Sequence, residues 1–329
     1  MKRPKGCGVA HLAGGGALVL AILFAPPAAA FTAYVSNEKG NTVSVIDLDT
    51  MAVTATIPVG ERPRGIIMSG DKKQVYICTS DADHIEVLDT ETLKITHTLP
   101  SGPDPELFTL APDGNTLYVA NEDNNMVTVL DVGSGDVATE IPVGTEPEGM
   151  GVSPDGKWLV NTSETTSMAH FIDTSTLEVV DSVLVDTRPR YARFTPDGSK
   201  VWVSSEVGGT VAVIDTATRK ILHKIEFAVQ GLRRETIQPV GIAITPDGKT
   251  AFIALEPANR IAVVDTTSFE VKEYLLVGQR VWQLALTPDA KLLLSANGES
   301  NDVSVIDVAA LKVLKSIPVG ELPWGVAIK

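Results

Sequence analysis

"SVIDLDT", residues Ser44–Thr50, is a short apolar run that ends in an acid and then in turn-forming residues. Variants of the string return six times: "EVLDTET" around Asp89, "TVLDVGS" around Asp131, "HFIDTST" around Asp173, "AVIDTAT" around Asp215, "AVVDTTS" around Asp265 and "SVIDVAA" around Asp307. From Asp47 onward the aspartates are spaced by 42, 42, 42, 42, 50 and 42 residues. Self-similarity at a fixed period marks a repeat architecture. The chain therefore holds seven copies of one unit, with a single eight-residue insertion.

Each unit divides into four short β segments. In one copy these are "EGMGVS" (Glu148–Ser153), "KWLVNTS" (Lys157–Ser163), "MAHFID" (Met168–Asp173) and "EVVDSVLV" (Glu178–Val185). They are rich in Val, Ile and Thr and are bounded by turn residues, as strands are. Four strands every 42 residues or so predict a β-propeller blade. The expected fold is all-β: one seven-bladed propeller of four-stranded antiparallel blades over residues 31–329. Phe31 begins a second strand, "FTAYVSN", and the chain stops at Lys329 after a first strand, "PWGVAIK". The C-terminal strand should therefore complete the N-terminal blade and close the ring.

Residues 1–30 read as a secretory signal peptide. Lys2, Arg3 and Lys5 form a positive start, "GALVLAILFA" (Gly16–Ala25) is an apolar stretch, and "AAA" (Ala28–Ala30) is a small-residue cleavage signal. No later apolar run approaches the ~20 residues needed to cross a bilayer. The expected location is the periplasm. Losing the leader removes three basic residues and no acid, so the formal charge moves from −14 to −17. Such acidity argues against nucleic-acid binding, which needs a basic footprint. Beyond Cys7 in the leader only Cys78 remains, so no internal disulfide can form.

"AYVSNEKGNTVSVIDLDTMAVTATIPVGERPRGI" (Ala33–Ile66) resembles the YVTN-type β-propeller repeat. The resemblance runs over residues 31–329, and its closest subgroup is the periplasmic propeller associated with PQQ-dependent catabolism. It implies a non-catalytic accessory protein that accompanies a PQQ-dependent alcohol oxidation system and an ABC transporter, without implying that this chain binds PQQ. PQQ dehydrogenases themselves have eight blades, tryptophan-rich docking repeats and a vicinal disulfide. Seven blades, four tryptophans and no cysteine pair set this chain apart from them. Some seven-bladed propellers are lactonases, which keeps a metal-assisted hydrolase using Glu106 and Glu148 as the alternative.

Few residues point to chemistry. The strand-ending aspartates suit turn capping, and one acid per blade cannot converge on one substrate. The histidines after the leader, His84, His97, His170 and His223, form no His-x-x-x-His pair and no haem motif. Neither metal nor cofactor is expected. Glu38, Asp81, Glu122, Glu164, Glu206, Glu256 and Glu299 fall one per blade between the second and third strands. The simpler expectation for them is a solvated rim; the alternative is docking of a basic partner or a cation.

The innermost strand is more informative, because it borders the central channel. Its template is Pro-x-Gly-φ-small-φ. The residue after the Pro position runs Arg64, Glu106, Glu148, Arg190, Val240, Trp282 and Trp324; the residue before it runs Arg62, Asp104, Glu146, Arg188, Gln238, Arg280 and Leu322. Arg193 is an outlier where the other blades have Ile67, Thr109, Gly151, Ala243, Ala285 and Ala327, and Tyr191 replaces the template Gly. A buried unpaired guanidinium costs several kcal/mol. Arg193 should therefore reach channel water, an acid such as Glu148, or an anionic ligand. Arg62, Arg64, Glu106, Glu148, Arg188, Arg190, Tyr191, Arg193, Arg280, Trp282 and Trp324 are the candidate channel-mouth residues, with Arg190, Arg193 and Arg280 expected to accept an anion beside Tyr191 and Trp282. The insertion "EFAVQGLRRETIQPVG" (Glu226–Gly241) is expected on that rim, where Arg233 and Arg234 would add positive charge. The expected partners are a periplasmic protein and a small anion, and the chain is expected to be a monomer.

Overall fold

Val, Ile and Thr favour the extended backbone because their branched side chains fit a pleated surface. The seven strings quoted above are each the end of a strand. There the aspartate turns the chain by accepting backbone N–H bonds: Asp47 Oδ1 takes the Thr50 amide at 2.7 Å, and Asp89 Oδ1 takes the Thr92 amide at 2.7 Å. The same bonds hold these carboxyls below the ordinary Asp range. In the Pro-Asp-Gly turns Asp155 and Asp197 do likewise for Lys157 and Ser199.

The computed structural model describes residues 31–329, together with residues 1–4, 6 and 8. The apolar stretch and cleavage signal of the expected leader, and Cys7, lie outside the described residues. Phe31–Lys329 is one compact unit. Its strands form seven four-stranded antiparallel sheets. Blade I is β28 (Pro323–Ile328), β1 (Thr32–Asn37), β2 (Thr42–Asp47) and β3 (Ala52–Pro58), in that spatial order. The C-terminal strand therefore supplies the inner strand of the first blade, with Ala33 opposite Ile328 and Val35 opposite Val326. The other inner strands, blades II to VII, are β4 (Pro63–Met68), β8 (Pro105–Leu110), β12 (Pro147–Val152), β16 (Pro189–Phe194), β20 (Gln238–Ile244) and β24 (Val281–Leu286). Among the described residues no helix is long and apolar enough to span a membrane.

The core lies between blades. Second and third strands are almost wholly buried, whereas outer strands such as β3 face water along most of their length. Adjacent inner strands approach so closely that a Cβ at Gly65 would sit 2.6 Å from the Glu106 carbonyl oxygen, which explains the template glycine. Buried hydroxyls tie neighbours together: Ser36 Oγ donates to the Arg64 carbonyl at 2.7 Å, and Ser204 Oγ to the Val240 carbonyl at 2.7 Å.

Two local devices aim the channel side chains. Each inner strand breaks register near its start, between Pro63 and Ile66 in β4 and between Pro189 and Tyr191 in β16. Such an irregularity redirects side chains. The residue just before the strand is left-handed in six blades, with φ between 49 and 60° at Arg62, Asp104, Glu146, Arg188, Arg280 and Leu322. A side-chain oxygen from the preceding blade supports this strained backbone in most of them: Asn41 Oδ1 accepts the Arg62 amide at 3.0 Å, and Asn259 Oδ1 that of Arg280 at 2.8 Å. In blade VI the insertion removes this turn, and Gln238 is already in the strand.

Candidate functional site

At the start of the inner strands seven side chains meet across the ring. In blade order they are Trp324, Arg64, Glu106, Glu148, Arg190, Val240 and Trp282, and all seven are buried. Arg64 pairs with Glu106, and Arg190 reaches Glu148 at 3.2 Å. Each guanidinium also lies over an indole: Arg64 is 5.2 Å from the Trp324 ring centre and Arg190 is 5.7 Å from that of Trp282. The two indoles are 6.4 Å apart. This layer is a plug, held by two ion pairs and two cation–π contacts.

The left-handed residues form a second layer. Arg62 contacts Asp104 at 2.9 Å, Glu106 at 3.0 Å, Asp81 at 3.4 Å and Glu38 at 3.6 Å. Arg188 contacts Glu164 at 2.7 Å and Glu206 at 3.4 Å. Arg190 also pairs with Glu164 and with Glu206. Arg280 holds Glu256 at 2.8 Å and covers Trp282 at 4.9 Å.

The carboxylates one per blade are therefore not a uniformly solvated rim. Glu164, Glu206 and Glu256 are buried against arginines, while Asp81 and Glu299 remain exposed. The reason is geometric: the left-handed residue throws its side chain back over the preceding blade. A spacing of 24 residues links Glu38 to Arg62, Glu164 to Arg188 and Glu256 to Arg280, a signal that was present in the sequence. Where the partner position is acidic, charge crowds instead. Glu122 meets Glu146 by the same spacing.

The titration behaviour follows this map. Burial alone would raise Glu106, but Arg64 and Arg62 beside it hold its carboxyl below the usual range. Glu148 moves the other way: burial, reinforced by Glu106, outweighs Arg190 and raises it well above that range. Both Glu148 oxygens lack a well-aligned hydrogen bond. Glu122 has no basic partner among the described residues; burial and the adjacent Glu106 push it to about 8. Asp104 rises to about 6 by burial and Glu106, despite Arg62. Glu256 rises to about 7 by burial, opposed by Arg280.

Two carboxylate groups are close enough to share an ion: Asp104 with Glu106 and Glu122, and Glu122 with Glu146 and Glu164. Neither fits a metal well. Ca²⁺ takes six to eight oxygens, whereas Arg62 already occupies Asp104 and Glu106, and Arg188 occupies Glu164. What the crowding does is let Glu122 retain a proton at neutral pH.

Arg193 lies elsewhere. Three residues of extended chain span ~10 Å, and the register break turns both Arg190 and Arg193 inward at different depths. Arg193 lines a cup of about 460 Å³, together with Tyr191, Ile67, Ala243, Ala285 and Ala327. Pro246 of a Pro-Asp-Gly turn and Pro288 of the equivalent Pro-Asp-Ala turn border it, so it opens on the turn face. The expected single mouth uniting Arg190, Arg193 and Arg280 is thus two places. The contact with Glu148 offered as one expectation for Arg193 is taken by Arg190. The insertion also behaves differently from its expected role. Phe227 and Ile237 anchor its ends between blades, the Ala228 amide donates to Tyr274 Oη at 3.0 Å, and Gln230–Glu235 between them are exposed. Arg233 and Arg234 pair locally with Glu235 and Glu226 at the surface.

Solved structures share the fold. The hydrazine synthase of Kuenenia stuttgartiensis aligns with a TM-score of 0.77 at 24% identity, covering 85% of this chain and 93% of that one. A functionally unknown protein of Desulfotomaculum acetoxidans gives 0.76 at 17%, covering 90% and 98%. A candidate 6-phosphogluconolactonase of Bacteroides uniformis gives 0.75 at 20%, covering 91% and 99%. These likenesses establish the propeller and nothing finer. No curated protein is a significant match. A family model for the seven-bladed β-propeller lactonases matches residues 22–140. The model for the choice-of-anchor I domain matches residues 123–311, more than half of the chain, and the chain belongs to that family.

Proposed function

We propose that this chain is a non-catalytic binding propeller of the periplasm, an accessory to a PQQ-dependent alcohol oxidation system and its ABC transporter. The observation that carries the non-catalytic part is the plug. A hydrolase needs carboxylates free to hold a metal or activate water. Here the Glu106 oxygens are engaged by Arg64 and Arg62, and Arg190 faces Glu148. The setting is supported by the leader-like residues 1–30 and by the resemblance of the Ala33–Ile66 repeat.

A lactonase-type hydrolase is the second reading, favoured by the lactonase family match and by the grouping of Asp104, Glu106 and Glu122. Turnover separates the two. The purified protein is expected to leave simple lactones and 6-phosphogluconolactone unhydrolysed, with or without Ca²⁺, Mn²⁺ or Zn²⁺. Metal-dependent hydrolysis that disappears in Glu106→Gln would overturn the non-catalytic reading.

A further inference from the structure

We propose that the cup on the turn face binds a small monocarboxylate with an apolar body, and that Arg193 receives its carboxylate. The cup lies at the opposite end of the inner strands from the plug, so the proposal does not depend on whether the plug is catalytically silent.

The first support is the mismatch between Arg193 and its surroundings. The plug arginines each have at least one carboxylate within 4 Å, in a chain with 41 acids and 27 basic residues. Arg193 has no ion pair among the described residues, although it is the only charged residue lining the cup. Its guanidinium is exposed to the cavity and keeps its donors free.

The second support is the shape and composition of the wall. Blades VI, VII and I each place an alanine at this depth: Ala243, Ala285 and Ala327. Three short side chains in succession open space that an Ile or Leu would fill, while Ile66, Leu284 and Val326 behind them keep the wall apolar. Half-buried Tyr191 stands in the same wall, in place of the template glycine. A concave site of a few hundred Å³ that sets a few polar groups among apolar side chains is the usual form of a small-molecule pocket.

The ligand class follows from the charge count. A guanidinium fork matches a carboxylate with two parallel hydrogen bonds. One guanidinium neutralises one charge. A second carboxylate or a phosphate dianion would set its remaining charge against Ala and Ile side chains, with no second cation to neutralise it. An alcohol would leave the guanidinium without its counter-charge. The alkyl or aryl body is held by the alanine wall through apolar burial.

Calorimetric titration with hexanoate and with phenylacetate tests this. Hexanol, citrate and 6-phosphogluconate serve as the uncharged and multiply charged comparisons. At least one of the two monocarboxylates should bind at concentrations below about 10 mM, a weak but measurable affinity. Arg193→Met should weaken it at least about tenfold, and Arg193→Lys should lose less, because Lys keeps the charge without the fork. Ala285→Trp should abolish binding by filling the cup, with circular dichroism confirming that the propeller is intact. The proposal is overturned if neither monocarboxylate binds, if Arg193→Met binds as well as the parent, or if citrate or 6-phosphogluconate binds more tightly than both. A discovered lactonase activity would defeat the non-catalytic reading but leave these outcomes unchanged.

Discussion

Arg64→Met is the sharpest perturbation of the plug. Glu106 is fully buried, and Arg64 and Arg62 together keep it ionised. Removing one member of a buried ion pair costs about 3–5 kcal/mol, because the other charge stays behind unpaired. Arg62 still reaches Glu106 Oε1 at 3.0 Å, which argues for the lower end. Loss of the guanidinium over Trp324 at 5.2 Å adds about 0.5–1 kcal/mol. Destabilisation of ~3–4 kcal/mol is therefore expected. For a unit of about 300 residues, the usual unfolding entropy converts this to roughly 5–6 °C in Tm. Urea unfolding followed by tryptophan fluorescence measures it, and Trp324 lies next to the change. Glu106→Leu made together with Arg64→Met should recover much of the loss, since an apolar pair of similar volume can replace a buried ion pair. The deficit of Arg64→Met alone should also shrink as pH falls, because the stranded carboxylate can then take a proton. A variant within about 1 kcal/mol of the parent at pH 7, with no recovery in the double mutant, would refute the ion-paired plug.

Three further outcomes are expected. Glu122, Glu256 and Asp104 have folded-state pKa values of about 8, 7 and 6, above those of unfolded carboxyls. The folded protein therefore holds more protons in that window, and stability should fall as pH rises from about 5 to 8; Glu122→Gln should flatten the slope, and a Tm that climbs over this range would contradict it. Deleting Trp324–Lys329 strips β28 from blade I and exposes the β1 edge, so Tm should drop by at least about 10 °C, and an unchanged melting curve would sink ring closure as a source of stability. Cys78 is buried, and burial raises its thiol pKa well above the ordinary value; it should resist aqueous thiol reagents in the native protein and react after denaturation, whereas rapid native labelling would count against its placement.

The architecture was legible because one spacing repeats. The 42-residue period, the eight-residue insertion and the order of the terminal strands yield seven blades and a β28–β1 seam, and the sheets have that arrangement. The site was legible only in part. Divergence at the inner strands located the residues that meet across the ring, such as Arg64, Glu106 and Trp324. Depth was not visible: Arg190 and Arg193 are three residues apart, yet one is locked in the plug and the other faces the cup. Nor did a position in a loop reveal burial. Glu164 sits at a turn, where solvation is the default, but Arg188 and Arg190 fold over it from the next blade. That contact depends on left-handed backbone at Arg188, which a local propensity argument assigns to glycine or asparagine.

The seam in blade I also imposes an order on events. β28 follows every other strand along the chain, so during synthesis six blades can complete their four strands before blade I receives its innermost one. Until then β1 presents an unpaired edge of Thr32–Asn37, the kind of template that recruits strands from other chains. The ring is vulnerable to misassembly for as long as that strand is awaited, and a slow passage of the final segment should raise the yield of intermolecular aggregates more than an equal pause within any interior blade.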